Sequence, residues 1–279
     1  AGKKCLAPKP CPALEVEHRS YLALLRQVRA LPGVKRVFIR SGIRFDYLME
    51  DPDKTFLHEL IEHHVSGQLK VAPEHCSAAV LDCMGKPHIE SYLAFQREFF
   101  RYTKKIGKEQ YLVPYLMSSH PGSTLKDAVE LALFLKREHL RPEQVQDFYP
   151  TPGTISTCMF YTGLDPYTLK PVYVPRSDKE KAMQRALLQY FDPAKRSLVA
   201  QALQEAGRTD LIGYGEDCLI PPPPETHTPR REGKKPEAPR RTAQRHPTDP
   251  KKKPTSKLGG RWEKDADRAR KQNQTRRKG

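Results

Sequence analysis

The sequence predicts an α/β fold built on parallel strands, with the regular repeat of a partial TIM-like (βα) barrel. Two observations predict it. Four short apolar runs are each separated from the next by a segment of helical periodicity, and each run ends in a cluster of Gly, Pro and polar residues. Strands joined through helices pair in parallel with right-handed crossovers, and their carboxyl ends form the face on which such folds place ligands.

The elements follow in order. "EVEHRSYLALLRQVRAL" (15–31) sets Tyr21, Leu24, Leu25, Val28 and Leu31 at helical spacing, and "PGVKRVFIRSG" (32–42) is a turn followed by a strand. "KTFLHELIEHHV" (54–65) is a helix before the strand "GQLKVAPEH" (67–75). A longer helix, "HIESYLAFQREFFRYTKKIG" (88–107), precedes the strand "EQYLVPYLMSSHPG" (109–122). The amphipathic "LKDAVELALFLKREHL" (125–140) then leads to "VQDFYPTPG" (145–153). Two further helices lie in 177–191 and 193–207, split at Asp192 and Pro193 and stopped by Gly207. The expected organisation is a barrel part over 1–175, a helical extension over 176–220 and a tail over 221–279.

Charge divides the chain in the same place. Of the formal +16, residues 221–279 contribute 19 Lys plus Arg against 7 Asp plus Glu, a net of +12. That tail opens on "PPPP" and has Leu258 and Trp262 as its only large apolar residues, so it is expected to be disordered and to attract polyanions such as nucleic acid through 225–279. A merely solubilising tail is the competing reading. No run of eighteen apolar residues and no cleavable leader is visible, which with six scattered cysteines predicts a soluble cytoplasmic protein with reduced thiols and no membrane partner. Cys76 and Cys83 are expected to be small core residues. The start, "AGKKCLAPKPCPAL", reads like the middle of a loop and suggests a fragment.

The strand ends read "IRSGIRFD", "KVAPEH", "SSHPGST" and "DFYPTPGT". Helix caps account for Ser41, Ser77, Ser123 and Thr124, but turn chemistry alone does not call for Arg44, Asp46, Glu74, His75 and His120. A ligand site is expected on this face. Arg44 and Asp46 could instead pair with one another, and Glu74 could cap a helix starting near Ser77. His58 and His63 are five apart, which does not match the H-E-x-x-H spacing of a zinc helix, and are expected on a helix surface.

"VKRVFIRSGIRFDYL", "LKVAPEHCSAAVLDCMGKPHIESYLAFQREF", "YLVPYLMSSHPGSTLKDAVELALFLK" and "VQDFYPTPGTISTCMFYTGLDP", in that order, closely resemble the YgiQ family of radical S-adenosylmethionine proteins. The likeness runs from about Lys4 to Pro224. More distantly, "SHPGST" resembles the "GFPGET" loop of radical S-adenosylmethionine methylthiotransferases. The resemblance implies about four of the six strands of a radical SAM barrel and a full-length enzyme that uses S-adenosylmethionine and a 4Fe-4S cluster on an unknown substrate. It also implies that Ser41, Arg44, Asp46, Glu74 and His75 bond the ribose and methionine carboxylate, while main-chain groups at Met117 and Ser118, with Pro121 and Gly122 shaping the loop, cradle adenine. The sequence departs from the family in one respect. It has no C-x3-C-x2-C triplet, so the cluster ligands are absent, no metal ligand or catalytic residue is assigned, and this chain alone is expected to be inactive. Cys5 and Cys11 resemble a family pair downstream of the cluster motif and are not iron ligands. Two other classes remain: a noncatalytic nucleic-acid or ribosome-associated protein acting through its tail, and a stand-alone open barrel that binds a nucleotide-like ligand without iron.

Overall fold

A computed structural model of the chain describes residues 5–7 and 9–222. The expected disordered tail and the nucleic-acid contact through 225–279 lie outside the described residues. Helices α1 (Arg19–Ala30), α2 (Phe45–Glu50) and α3 (Thr55–Glu59) come first, and α3 runs on as a π-helical turn over Leu60–His64. Then follow β1 (Gln68–Glu74), α4 (Ala78–Met84), α5 (Ile89–Lys105), β2 (Tyr111–Ser118), α6 (Leu125–Arg137), β3 (Gln146–Asp147), α7 (Ile155–Thr162), α8 (Asp178–Leu188) and α9 (Arg196–Glu205).

The strands form a parallel sheet in the order β1-β2-β3. β1 and β2 run in register from Gln68 opposite Tyr111 to Val71 opposite Pro114, and a bulge then brings Glu74 opposite Leu116. β3 joins only at Met117 and Ser118. Pro114, which lacks an N–H, therefore sits where β2 has one strand neighbour.

The four-strand expectation is corrected at its first member. Residues 34–42 form neither helix nor ladder. Ile39 N–H donates to the His64 carbonyl (2.9 Å), Ile43 N–H reaches the Lys70 carbonyl (3.4 Å), and the Val37 carbonyl accepts from His64 Nδ1 (2.8 Å). These bonds all run toward the β1 side. A strand needs a ladder of main-chain bonds to a neighbouring strand, and this segment makes only one such bond to β1, from Ile43. The result is a small three-stranded sheet in a mixed α/β fold, and the described residues do not close into a barrel.

Helices bury one face of that sheet. Leu69, Val71 and Leu116 pack with Phe45, Tyr92, Phe95, Phe99, Leu131, Phe134 and Leu135. The other face, where Lys70 pairs with Val113 and its Nζ lies 5.7 Å from the Tyr115 ring centroid, stays half open. Parallel sheets are ordinarily covered on both faces. The apolar stripe of α1 is likewise split: Leu22 and Leu25 are buried, but Leu24 and Leu31 are each more than half exposed. α6 is apolar on two sides because it joins two cores. Leu131, Phe134 and Leu135 enter the first, and Ala128, Val129 and Ala132 pack with Met183, Leu187, Val199 and Leu203 of α8 and α9 in the second. Thr124 and Asp127 close a capping box at its start.

No disulfide joins the six cysteines; Cys76 is buried as expected, and burial pushes its thiol up to about 12. Among the described residues no helix is long and apolar enough to cross a membrane.

α4 packs against the turn after β2 so closely that Gly122 has no room for a side chain. Its φ is +94°, and a Cβ there would lie 2.7 Å from Cys83 Sγ and 3.2 Å from Cys83 Cβ. Gly122→Ala is expected to cost about 1–3 kcal/mol in denaturant unfolding. Adding Cys83→Ala should recover the steric part of that loss and leave the backbone strain. A fully additive double-mutant cycle would contradict this packing.

Candidate functional site

The parallel register sets the carboxyl ends of β1 and β2 side by side, and both end in strain. Glu74, the last residue of β1, has φ +67°, and Ser119, one past β2, has φ +63°. A residue other than Gly in this region costs on the order of 1–2 kcal/mol, and such residues collect at ligand sites. The strain turns the chain sharply away from the sheet at two adjacent points.

Of the residues singled out by sequence, Arg44 and Asp46 pair with one another. Arg44 Nη2 donates to Asp46 Oδ2 (2.6 Å) and Nε to Oδ1 (3.2 Å), and this bonding raises the Arg44 pKa. Asp46 is buried while the Arg44 side chain is two-thirds exposed. Both line a cavity of about 320 Å³ together with Ala72, Pro73 and Lys86. Lys86 Nζ bonds the Ala72 carbonyl (2.7 Å) and Glu74 Oε1 (3.0 Å), which ties Glu74 to the edge of the same cavity. Glu74 therefore does not cap α4; Ser77 is the N-cap residue, and its hydroxyl donates to Asp127 Oδ1 (2.7 Å). Ser41 is exposed on the segment that leads in.

The second half of the set lies around the loop after β2. Ser118 donates to Asp147 Oδ1, which pins β2 to β3, and Arg185 Nη2 lies 2.6 Å from the same carboxylate. Gln184, wholly buried on α8, clamps the loop: its Oε1 accepts from Ser119 N–H and from Ser123 Oγ (both 3.0 Å), and its Nε2 donates to the Ser123 carbonyl (2.9 Å). Gly122 N–H donates to the Tyr173 carbonyl (2.7 Å). Met117 is half-buried and Pro121 buried. Within this clamped loop the Ser119 hydroxyl is buried with no hydrogen-bond partner. A buried hydroxyl left unpaired is costly.

His75 and His120, buried at this site, are neutral supports. His75 Nδ1 accepts from Ser77 N–H (3.0 Å), and burial drives its pKa down to about 4. His120 Nδ1–H donates to the Pro121 carbonyl (2.7 Å) and Nε2 accepts from the Ser156 hydroxyl (2.8 Å), with burial again lowering the pKa to about 4. The Ser156–His120 pair is thus a poor nucleophile–base set at neutral pH. His58 stacks on Tyr102 with centroids 4.0 Å apart, and neither it nor His63 is fully buried.

Of the nine sequence-predicted residues, Glu74, Met117 and Ser118 lie in the last part of β1 and β2 and His75, Pro121 and Gly122 in the turns that follow, whereas Ser41 lies two residues before Ile43, which bonds Lys70 in the middle of β1. Arg44 and Asp46 share the pocket beside Lys86, Glu74 adjoins it, and Ser118, Pro121 and Gly122 lie across α4, whose Cys83 meets Gly122. Lys86, Ser119, Gln184 and Tyr173 were not legible as site residues. Lys86 and Gln184 act over 12 and 61 or more positions, and no local pattern signals such pairings. As for a cluster, among the described residues no three His, Cys, Asp or Glu side chains are placed to hold a metal ion.

Residues 143–279 match a family described as a domain of unknown function, DUF3362. Over 218 residues the chain is 62% identical to a UPF0313 protein of Clostridium perfringens, a match covering 78% of this chain and 33% of that protein. A UPF0313 protein of Clostridium botulinum is 58% identical over 220 residues, covering 79% of this chain and 34% of its own length. The chain spans about a third of the length of the curated relatives it matches. UPF0313 is the YgiQ-like family, and the names of these homologues give no activity.

His75 and His120 set a pH dependence. Each binds a proton more readily in the unfolded chain, near 6.5, than in the fold, near 4. Their contribution to stability is complete above about pH 6.5 and is lost as pH falls toward 4. Urea midpoints should decline between pH 6.5 and 5, above the range where most carboxylates titrate, and His120→Gln should flatten that decline. A midpoint constant across this window would show that the imidazoles are not held neutral.

Proposed function

We propose that this chain supplies the adenosyl-facing rim of a radical S-adenosylmethionine enzyme, and that the remainder of a longer polypeptide completes its (βα) barrel and provides the 4Fe-4S ligands. The observation that carries the reading is the pair of strained strand ends, Glu74 and Ser119, with the Ser119 hydroxyl buried and unpartnered in the clamped loop. Supporting it are the half-open inner face of β1 and β2, the one-sided bonding of 34–43, and the resemblance of these same segments to the YgiQ family. S-adenosylmethionine, bound beside a reduced cluster, would supply a carbon-centred radical that takes a hydrogen atom from substrate.

The roles of the chain's own residues follow from their chemistry. The planar fork of Arg44 suits a carboxylate; two-thirds exposed, it can turn from Asp46 toward a ligand without unburying itself. Asp46 and Glu74 accept from hydroxyl donors, and Lys86 holds Glu74 in place. Main-chain groups at Met117 and Ser118, with Pro121 and Gly122 shaping the loop, are assigned to adenine on the strength of the family resemblance. The cysteines of this chain do not fit a cluster, so no step is assigned to them.

The test is anaerobic reconstitution of a full-length polypeptide that includes this chain, followed by reduction with S-adenosylmethionine and quantitation of 5′-deoxyadenosine. The product is expected from the full-length protein and not from residues 1–279 alone. Arg44→Ala and Glu74→Ala should each reduce its formation by about tenfold or more, the loss expected for one charge-assisted hydrogen bond. Unchanged cleavage in both variants would refute the assignment of the rim.

A further inference from the structure

The opposite end of the sheet, where β1 and β2 begin, has a second cavity, of about 520 Å³. Its wall includes Arg29 of α1, Lys35 and Arg36 of the segment 34–42, His63 of the π-helical turn, and Lys108 just before β2. The cations outnumber the carboxylates that could neutralise them. Lys35 and Arg36 form no ion pair among the described residues. Lys108 Nζ is held by the main-chain carbonyl of Glu62, which fixes its position and leaves its charge unbalanced. Arg29 reaches Glu59 only at 4.0 Å, and its Nη1 is buried with no partner. The carboxylates in the wall are engaged: Glu62 lies 3.7 Å from His63 Nε2 and accepts from the Tyr102 hydroxyl, and Glu109 accepts from the Tyr111 hydroxyl.

The wall is also shaped. The π-helical turn leaves carbonyls without regular helical partners, and Gln110 Nε2 satisfies those of Ile61 (2.9 Å) and Val65 (3.2 Å) while Lys108 takes that of Glu62. The irregular turn is thus held rigid by the two side chains that enter β2. His63 reports the local field: burial first, then the charge of Arg29, lowers its pKa despite Glu62 and Glu59 nearby.

We propose that this cavity binds a phosphoryl anion, held by Arg29, Lys35, Arg36 and Lys108. Two guanidinium forks and two ammonium groups match tetrahedral phosphate oxygens. The anion can be free, as in a diphosphate, or part of a nucleic-acid backbone. The site is at the amino ends of the strands and does not depend on the reading of the other face.

Sodium pyrophosphate titrated into the 279-residue chain, with the His63 imidazole followed by NMR, tests it. His63 is the local probe because the basic tail also attracts anions. The expected result is a saturable shift of the His63 resonance and a higher His63 pKa with pyrophosphate bound. Lys35→Gln/Arg36→Gln, exposed positions that leave the core intact, should weaken the response about tenfold or more. A second arm uses a short single-stranded oligonucleotide: if it moves His63 at lower concentration than pyrophosphate does, the anion is a backbone phosphate, and if pyrophosphate is the stronger, it is a free one. A His63 resonance that neither ligand moves, or a response that the double variant leaves unchanged, would overturn the proposal.

Discussion

The parallel pairing of residues 68–74 with residues 111–118 is the constraint on which the rest of the molecule depends. It fixes which ends of the chain become neighbours. Because the strands run the same way, Glu74 and Ser118 finish on one side, while Ser66, Gly67 and Gln110 begin on the other. The placement of both cavities follows from that polarity. The strained turns, the clamp by Gln184 and the Arg44–Asp46 cavity belong to the carboxyl side, and the cationic cavity belongs to the amino side.

The pairing is stabilised unevenly. On one face Leu69, Val71 and Leu116 are sealed by α5 and α6 through Phe95, Phe99 and Phe134, each buried essentially completely. At roughly 25 cal/mol per Å² of apolar surface, that layer is the main source of cohesion in the sheet. On the other face Val113 and Tyr115 are only half-buried and Lys70 is exposed, beside the segment 139–144. An edge bonded on one side, at 34–43, and an α1 stripe with Leu24 and Leu31 exposed continue the same asymmetry. The described residues thus cover one face of the sheet more fully than the other, and the chain spans about a third of the length of its relatives.

How much of this was legible in the sequence depended on whether the signal was local. α5, α6, α8 and α9 repeat apolar residues at helical spacing, and β1 and β2 are apolar runs bounded by turn residues, so each was readable within a turn or two at its ends. Residues 34–42 have a strand's composition, yet strand formation requires a neighbour, and β1 alone gives this segment too few bonds. α2 and α7 were missed because they are short and are set by packing and by the Thr154 cap rather than by period. At the site, the strand-end residues were recognisable by chemistry; Arg44 and Asp46 realised the pairing that was the plainer of the two readings. Lys86 and Gln184 became visible only in three dimensions, since their partners are brought to them by the crossovers of α4 and α6.

The central claim, that the edge at 34–43 is an internal strand position completed by the rest of a longer polypeptide, is tested most directly by amide hydrogen exchange over residues 36–42. In the 279-residue chain these amides should exchange rapidly except at Ile39, whose N–H is bonded inward. In a full-length polypeptide that includes this chain, the outward amides of Phe38, Arg40 and Gly42 should slow by on the order of a hundredfold or more. Equally fast exchange at those three positions in both proteins would contradict the account.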